Sequence, residues 1–273
     1  MIIHLFRLVA IVLALLDVSS CERPPVNPIL DRLGVSWPQL GENEIEGPLQ
    51  YDYIIVGAGS AGSVLANRLS EDQDTSVLLL EAGGNQNVLS DMPIAWTQLY
   101  RSELDWAYET SPQEHACFGF KNRSSLWTRG KVLGGTSVMN GMLYMRGNPI
   151  DYDHWPDGWH WQDVFSYFLK SENNTDPRIA DNGYHGRDGP LTVSSPRYNT
   201  PLAPVFLESA DELGYQVVLD INGPKSAGFT PSQVTTRDGA RCSTGKAFLY
   251  PAHKRPNLHV LTRALATQVS TVD

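Results

Sequence analysis

The sequence predicts an α/β fold that opens on a strand–helix–strand unit, and three observations carry that prediction. A short apolar run, Tyr53-Ile54-Ile55-Val56, ends in the glycine-rich hexapeptide Gly57-Ala58-Gly59-Ser60-Ala61-Gly62. Behind it, Ala61, Val64, Leu65 and Leu69 recur at helical spacing while Asn67, Arg68 and Glu71 take the other face. A second apolar run, Val77-Leu78-Leu79-Leu80, then closes on Glu81. Apolar runs without alternation are typical of parallel strands covered on both faces, so Tyr53–Val56 is expected to be fully buried. With 273 residues, 41% hydrophobic and 19% charged, the chain is long and apolar enough for a sizeable core and too apolar for disorder. Thirty acidic against 21 basic residues give a net charge of −9, the wrong sign for a nucleic-acid partner.

Before the first strand, Arg7 precedes nine consecutive apolar residues, Leu8 to Leu16, followed by small residues up to Cys21. That run falls short of the roughly 20 residues that span a bilayer, and it reads as a secretory signal peptide over residues 1–20. No membrane association is expected after its cleavage, and the product should be secreted. Residues 21–50, rich in proline and glycine, read as a surface leader. Secretion also makes glycosylation acceptors of Asn122-Arg123-Ser124 and Asn173-Asn174-Thr175, each expected on a surface loop. Cys117 and Cys242 are left as either a disulfide or two unpaired thiols.

After Glu81, residues 84–127 read as an irregular, aromatic excursion with short helices. Trp159 to Glu172 carries Val164, Phe165, Phe168 and Leu169 at helical spacing. Leu191-Thr192-Val193 reads as a short strand, and a helix runs from about Leu202 to Leu213, stopped by Gly214. Leu258-His259-Val260-Leu261 and Thr267-Gln268-Val269-Ser270 read as two further strands.

The hexapeptide fits G-x-G-x-x-G, and each glycine has a physical reason. Gly57 makes the tight turn, Gly59 lets the backbone approach a pyrophosphate, and Gly62 permits close packing of helix on strand. The helix-opening amides, those of Ser60 and Ala61 among them, then face anionic oxygens at the positive end of the helix dipole. Glu81, 19 residues after Gly62, stands where a carboxylate accepts hydrogen bonds from a ribose diol. Together these features point to a dinucleotide in a Rossmann-like unit, without separating FAD from NAD.

A second glycine-rich segment decides between them. The run from Arg129 to Gly147, RGKVLGGTSVMNGMLYMRG, resembles a signature of the glucose-methanol-choline (GMC) oxidoreductases, FAD-dependent oxidases and dehydrogenases of alcohols and sugars. The segments Gly57 to Ser70, Leu80-Glu81-Ala82-Gly83, Asp151-Tyr152-Asp153 with Trp155, Tyr184-His185-Gly186 with Gly189-Pro190-Leu191, and Gly239 to Leu249 fit the same family. The acidic, secreted character most resembles the insect glucose dehydrogenase branch. Bottom-up, the glycines of this loop permit close main-chain approach to a flat ligand, and Thr136, Ser137 and Asn140 supply hydrogen-bonding groups. The resemblance implies that Val132, Thr136, Asn140, Gly141, Met142 and Leu143 contact FAD and that Ala266 meets the adenine through its backbone. It also implies non-covalent FAD, because Met139 stands where some relatives carry the histidine that attaches the flavin.

The resemblance further implies an FAD-binding βαβ unit and flavin loop over 51–150, part of an α+β substrate domain over 151–235, and a return to the FAD-binding domain over 236–273. Members run to roughly twice this length or more. The C-terminal half, with its catalytic His–His or His–Asn pair, is therefore expected to be absent and the chain alone inactive. No catalytic residue and no metal ligand is assigned. The seven histidines are expected to be surface or packing residues, and Asp151 and Asp153 to serve turns and caps. The expected partners are a small alcohol or sugar and a quinone or oxygen acceptor. The competing readings are a non-catalytic secreted flavin-binding module and a nicotinamide-dependent dehydrogenase.

Overall fold

The computed structural model describes Leu40 and residues 50–270. The signal peptide, Cys21 and all of the leader except Leu40 and Gln50 lie outside the described residues. In chain order, β1 (Tyr53–Val56), α1 (Ser60–Leu69) and β2 (Val77–Leu80) come first. The irregular excursion holds α2 (Val88–Asp91), a 3-10 turn over Pro93–Leu99, and the antiparallel pair β3 (Tyr108–Glu109) and β4 (Leu126–Trp127). Then follow α3 (Trp161–Ser171), β5 (Glu172–Asn174), β6 (Leu191–Val193) and α4 (Leu202–Glu212). β7 (Thr236–Arg237), β8 (Ala240–Arg241), α5 (Tyr250–Ala252) and β9 (Leu258–Leu261) complete the described chain.

β1, β2 and β9 form one parallel sheet in that spatial order, with Val77 opposite Tyr53 on one side and Leu258 on the other. The strand β9 thus returns after nearly two hundred residues of intervening chain to lie beside β2, and β2 is the central strand. Centrality explains its composition, because Val77 and Leu79 are fully buried beneath α1, Leu133 and Leu249. Truncating a leucine such as Leu79 costs about 2–5 kcal/mol in a packed core. The helix α1 meets the sheet through its small residues, Gly62 and Ala66, which let it approach closely. A second buried cluster, Leu99, Leu104, Val132, Val138 and Met139, lies under the loop that follows β4.

Three expectations need correction. β1 is not buried: Ile54 is 58% exposed and Val56 56%. Among the described residues it pairs only with β2, so its outer edge and much of its surface face solvent. An apolar run reports that a strand suits a covered position, but the cover itself is supplied by neighbours distant in sequence. Thr267–Ser270 forms no strand, since the segment leaves the sheet after Leu261 and runs on as exposed coil. Asn173 does not sit on a loop but in β5, half-buried and opposite Thr192. Its partner sequon residue Asn122 does occupy an exposed turn.

The remaining elements follow their sequence signals. In α3, Trp161, Phe165 and Phe168 stack along one face at i, i+4 and i+7, with Trp161–Phe165 centroids 5.2 Å apart. The first turn of α3 is tied by the Asp163 carboxylate, which accepts the His160 amide at 3.2 Å. α4 ends as Gly214 turns to φ +82°. Asp151 caps its own 3-10 turn, accepting the Asn148 amide at 2.7 Å. Cys117 and Cys242 are both free.

Candidate functional site

The site grows from the β1–α1 turn. Gly57 takes φ +94°, a left-handed conformation open to glycine, and donates its amide to Leu80 O at 2.8 Å, pinning the turn to the end of β2. Gly62 is demanded by the protein itself, because a Cβ there would lie 2.0 Å from Gly57 O. Gly59 differs from both. Its φ of −72° suits any residue, and a Cβ would project into open space. No internal contact explains a glycine at that position. It is also the N-cap of α1, so no side chain caps the helix, and no acidic residue sits in the first turn. The amides that open α1 are therefore left without partners from a cap, at the positive end of the helix dipole.

The second glycine segment packs directly against this turn. Gly134 N donates to Ala58 O at 2.7 Å, and a Cβ on Gly135 would stand 2.6 Å from Gly59 Cα. Gly135 itself adopts φ +53°. Leu133 N donates to Gly84 O at 2.9 Å, and Val132 forms a parallel bridge with Gly84, so the loop also extends the end of β2. The two glycine clusters, some seventy residues apart in sequence, thus share one surface.

Glu81 sits at the junction, buried, with both carboxylate oxygens engaged. Oε2 accepts the Ala58 amide at 2.9 Å and Oε1 the Gly83 amide at 2.8 Å. Burial pushes its pKa up from the ordinary carboxylate value, against the opposing pull of those two amides and of the Lys131 charge. Its first role is thus to brace the glycine turn. Each oxygen retains further acceptor capacity.

The other expected residues are placed as follows. Ser60 and Ala61 are exposed at the start of α1. Val132 is fully buried in the apolar cluster, its carbonyl accepting the Gly135 amide at 2.7 Å, so it stands behind the open surface of the glycine clusters rather than on it. Thr136 is exposed, its hydroxyl accepting the Gly130 amide at 3.2 Å. Asn140 and Gly141 are exposed, and a Cβ on Gly141 would again meet open space. Met142 is buried at φ +63°, its carbonyl accepting the Thr235 amide at 2.8 Å. Leu143 is exposed and lines an apolar cavity of about 1100 Å³ with Tyr198, Phe206 and Phe229. Ala266 is half-buried, two residues past Ala264, whose amide donates to Glu81 O at 2.8 Å.

Sequence reasoning missed two buried polar networks. Beneath the second glycine segment, Arg241 donates Nε to Ser90 O at 2.8 Å and Nη1 to Ser137 O and Asn140 Oδ1. Burial lowers its pKa to about 10, against the opposing charge of Asp91. Asp91 pairs with Lys246 and accepts from Gln86, and Ser243 donates to Gln86 in turn. The second network joins Arg146, Glu172, His185 and Asp220. The Glu172 side chain is 0% exposed and pairs with Arg146, while His185 bridges Glu172 and Asp220 at 2.9 Å each. Burial alone would lower the His185 pKa, but its hydrogen bonds to Asp220 and Glu172, with their charges, outweigh burial and raise it to about 9. Burial would raise Asp220, and His185 and Asn182 overcome it, bringing it to about 2. The sequence carried one local hint, Arg146 and His185 inside the family segments, but nothing that paired them.

Among the described residues, no group of three or more His, Cys, Asp or Glu could hold a metal ion, and no helix is long and apolar enough to cross a membrane. The polar surface of the glycine clusters fits a dinucleotide: the helix-opening amides carry no side-chain cap, as a phosphate site requires, and Gly59 and Gly141 keep open the space a side chain would fill.

Comparisons with known proteins agree with this architecture. The chain is 45% identical over 228 residues to a glucose dehydrogenase [FAD, quinone] of Drosophila pseudoobscura pseudoobscura, covering 82% of this chain and 36% of that protein. It is 44% identical to an oxygen-dependent choline dehydrogenase of Chromohalobacter salexigens, covering 79% of this chain and 39% of the relative. The crystal structure of pyridoxine 4-oxidase from Mesorbium loti superposes with a TM-score of 0.72 at 36% identity, over 78% of this chain and 42% of that one. The chain thus spans about two fifths of the length of these relatives. The profile of the GMC oxidoreductases, a family that binds FAD, matches residues 51–271, and the chain belongs to that family.

Proposed function

We propose that this chain is the FAD-binding part of a secreted oxidoreductase that removes hydride from the CH–OH group of a small alcohol or sugar. The observation that carries the reading is the pairing of an uncapped α1 N-terminus with a second glycine loop packed onto Gly59. In this reading Gly57 shapes the turn, its own amide being held by Leu80 O, the amides of Gly59, Ser60, Ala61 and Gly62 hold the pyrophosphate, and Glu81 accepts from the ribose while bracing the turn. Thr136, Asn140, Gly141 and Leu143 line the flavin, Val132 and Met142 support that surface from behind, and the main chain at Ala266 meets the adenine. Bound FAD supplies the hydride acceptor. The chain's own residues bind and orient, and none of them is assigned as the acid or base.

Non-covalent attachment is part of the proposal, because Met139 lies in the apolar cluster beside Val138 and offers no nucleophile. The electron acceptor is a quinone or oxygen, in keeping with the names of the two sequence relatives. The apolar run Leu8–Leu16 supports secretion.

The test has two arms. The purified chain should carry a flavin absorption band at about 450 nm that excess nicotinamide dinucleotide does not displace. A chain that takes up the nicotinamide cofactor instead would reject the reading. The longest product of the same gene should reduce a quinone-like dye with a sugar or alcohol. Flavin binding without any such turnover would favour a flavin-binding module that does no chemistry.

A further inference from the structure

Asn140 is exposed, yet its side-chain oxygen is fully committed. Oδ1 accepts the Met142 amide at 3.1 Å and Arg241 Nη1 at 2.8 Å. Both partners are obligate donors, so the atom facing them is the oxygen and the amide orientation is fixed. The Nδ2 group meets no acceptor among the described residues, and the residue is exposed. Arg241 lies beneath it. It is 1% exposed, held by Ser90 O and Ser137 O, and carries a formal charge in a site where Asp91 is the acidic neighbour. Among the described residues its Nη2 is buried without a hydrogen-bond partner, as is Oδ2 of the neighbouring Asp91. Besides orienting Asn140, Arg241 bonds the carbonyl of Ser137, whose hydroxyl donates to Gly134 O at 2.6 Å, next to Gly135 where the loop meets Gly59.

We propose that Arg241 is a positioning residue that locks the Asn140 carboxamide so that its NH2 donates outward to a carbonyl or ring-nitrogen acceptor on the bound cofactor. The inference rests on the FAD reading above. It assigns to Asn140 a donor role, and to a buried arginine one hundred residues away the work of enforcing it.

Asn140→Asp tests the donor directly. The aspartate keeps an oxygen for Met142 and Arg241 and replaces the outward NH2 with a second acceptor. The expected result is an apo melting temperature no lower than wild type and FAD affinity reduced about tenfold or more. Arg241→Lys keeps a positive charge but cannot hold three acceptors in one plane. It should weaken FAD binding and broaden the side-chain amide NMR signals of Asn140 in the apo chain, while Asn140→Asp with Arg241→Lys should bind no worse than Asn140→Asp alone. Asn140→Asp binding FAD as tightly as wild type overturns the donor role. Unchanged Asn140 amide signals in Arg241→Lys overturn the positioning role. A wild-type chain that takes up no FAD overturns the functional reading and this inference with it, which separates that failure from the other two.

Discussion

Two regions of the molecule handle polar groups in opposite ways. At the glycine clusters, the backbone of the β1–α1 turn is tightly tied on its inner side, by Leu80 O, Glu81 and Gly134, while the first amides of α1 point outward without a cap. At the Arg146–Glu172–His185–Asp220 cluster, every charge meets an opposite charge inside the protein. A charge network closed on itself holds together β5, the loop at Tyr184–Gly186 and the segment around Asp220. Donors left open at a surface that glycines keep clear mark a place where something else binds.

The comparison breaks most visibly at Glu172. Glu172→Ala leaves Arg146 buried without its partner and should cost about 3–5 kcal/mol, read by urea denaturation. A cost below 1 kcal/mol would mean that the cluster is not closed. Next in size is Gly62→Ala, whose new methyl meets Gly57 O at 2.0 Å. It should cost about 3 kcal/mol by the same measurement, because backbone, not a flexible side chain, stands in the way.

The charge network also makes a pH prediction. His185 is raised from 6.5 to about 9, so the stability it contributes is fully present below pH 6.5 and is lost as pH rises through about 9. Asp220 is lowered from 3.8 to about 2, so its contribution is present above pH 3.8 and is lost as pH falls through about 2. Melting temperature should therefore be greatest between about pH 4 and 6.5 and decline towards pH 9, by up to about 3 kcal/mol in free energy. His185→Gln should flatten the alkaline decline. A decline of equal size in that variant would place its cause elsewhere.

The smallest effect is expected at the open edge of the sheet. Ile54→Lys, on a half-exposed strand, should change stability by no more than about 0.5 kcal/mol. Light scattering should nonetheless show less self-association of the chain, since the lysine discourages pairing along β1.

What the sequence disclosed and what it withheld divide along the same lines. The glycine turn was legible because its demands are local: Gly57 needs its φ, and Gly62 faces Gly57 from five residues away. β9 was legible as a strand from four apolar-rich residues, but nothing in them said that it would lie beside β2. The exposure of β1 was illegible for the converse reason, since the run Tyr53–Val56 looks the same with or without a neighbour. Glu81 was legible as an acid at the end of β2, whereas its bonds to Ala58 and Gly83 emerged only with the fold. Arg241 reaches Ser90 across 151 positions, and Arg146 reaches Glu172 across 26, with no periodicity to announce either pair. Asn173 was misplaced because a three-residue sequon says nothing about the strand that holds it.

In the proposed function, the open amides of α1 and the space kept by Gly59 receive the FAD pyrophosphate. Titrating wild type and Gly59→Ala with FAD, with apo melting curves recorded in parallel, tests it most directly. The wild-type chain should bind one FAD, and Gly59→Ala should melt within a few degrees of wild type but bind FAD about tenfold or more weakly. Equal affinity for the two proteins would contradict it.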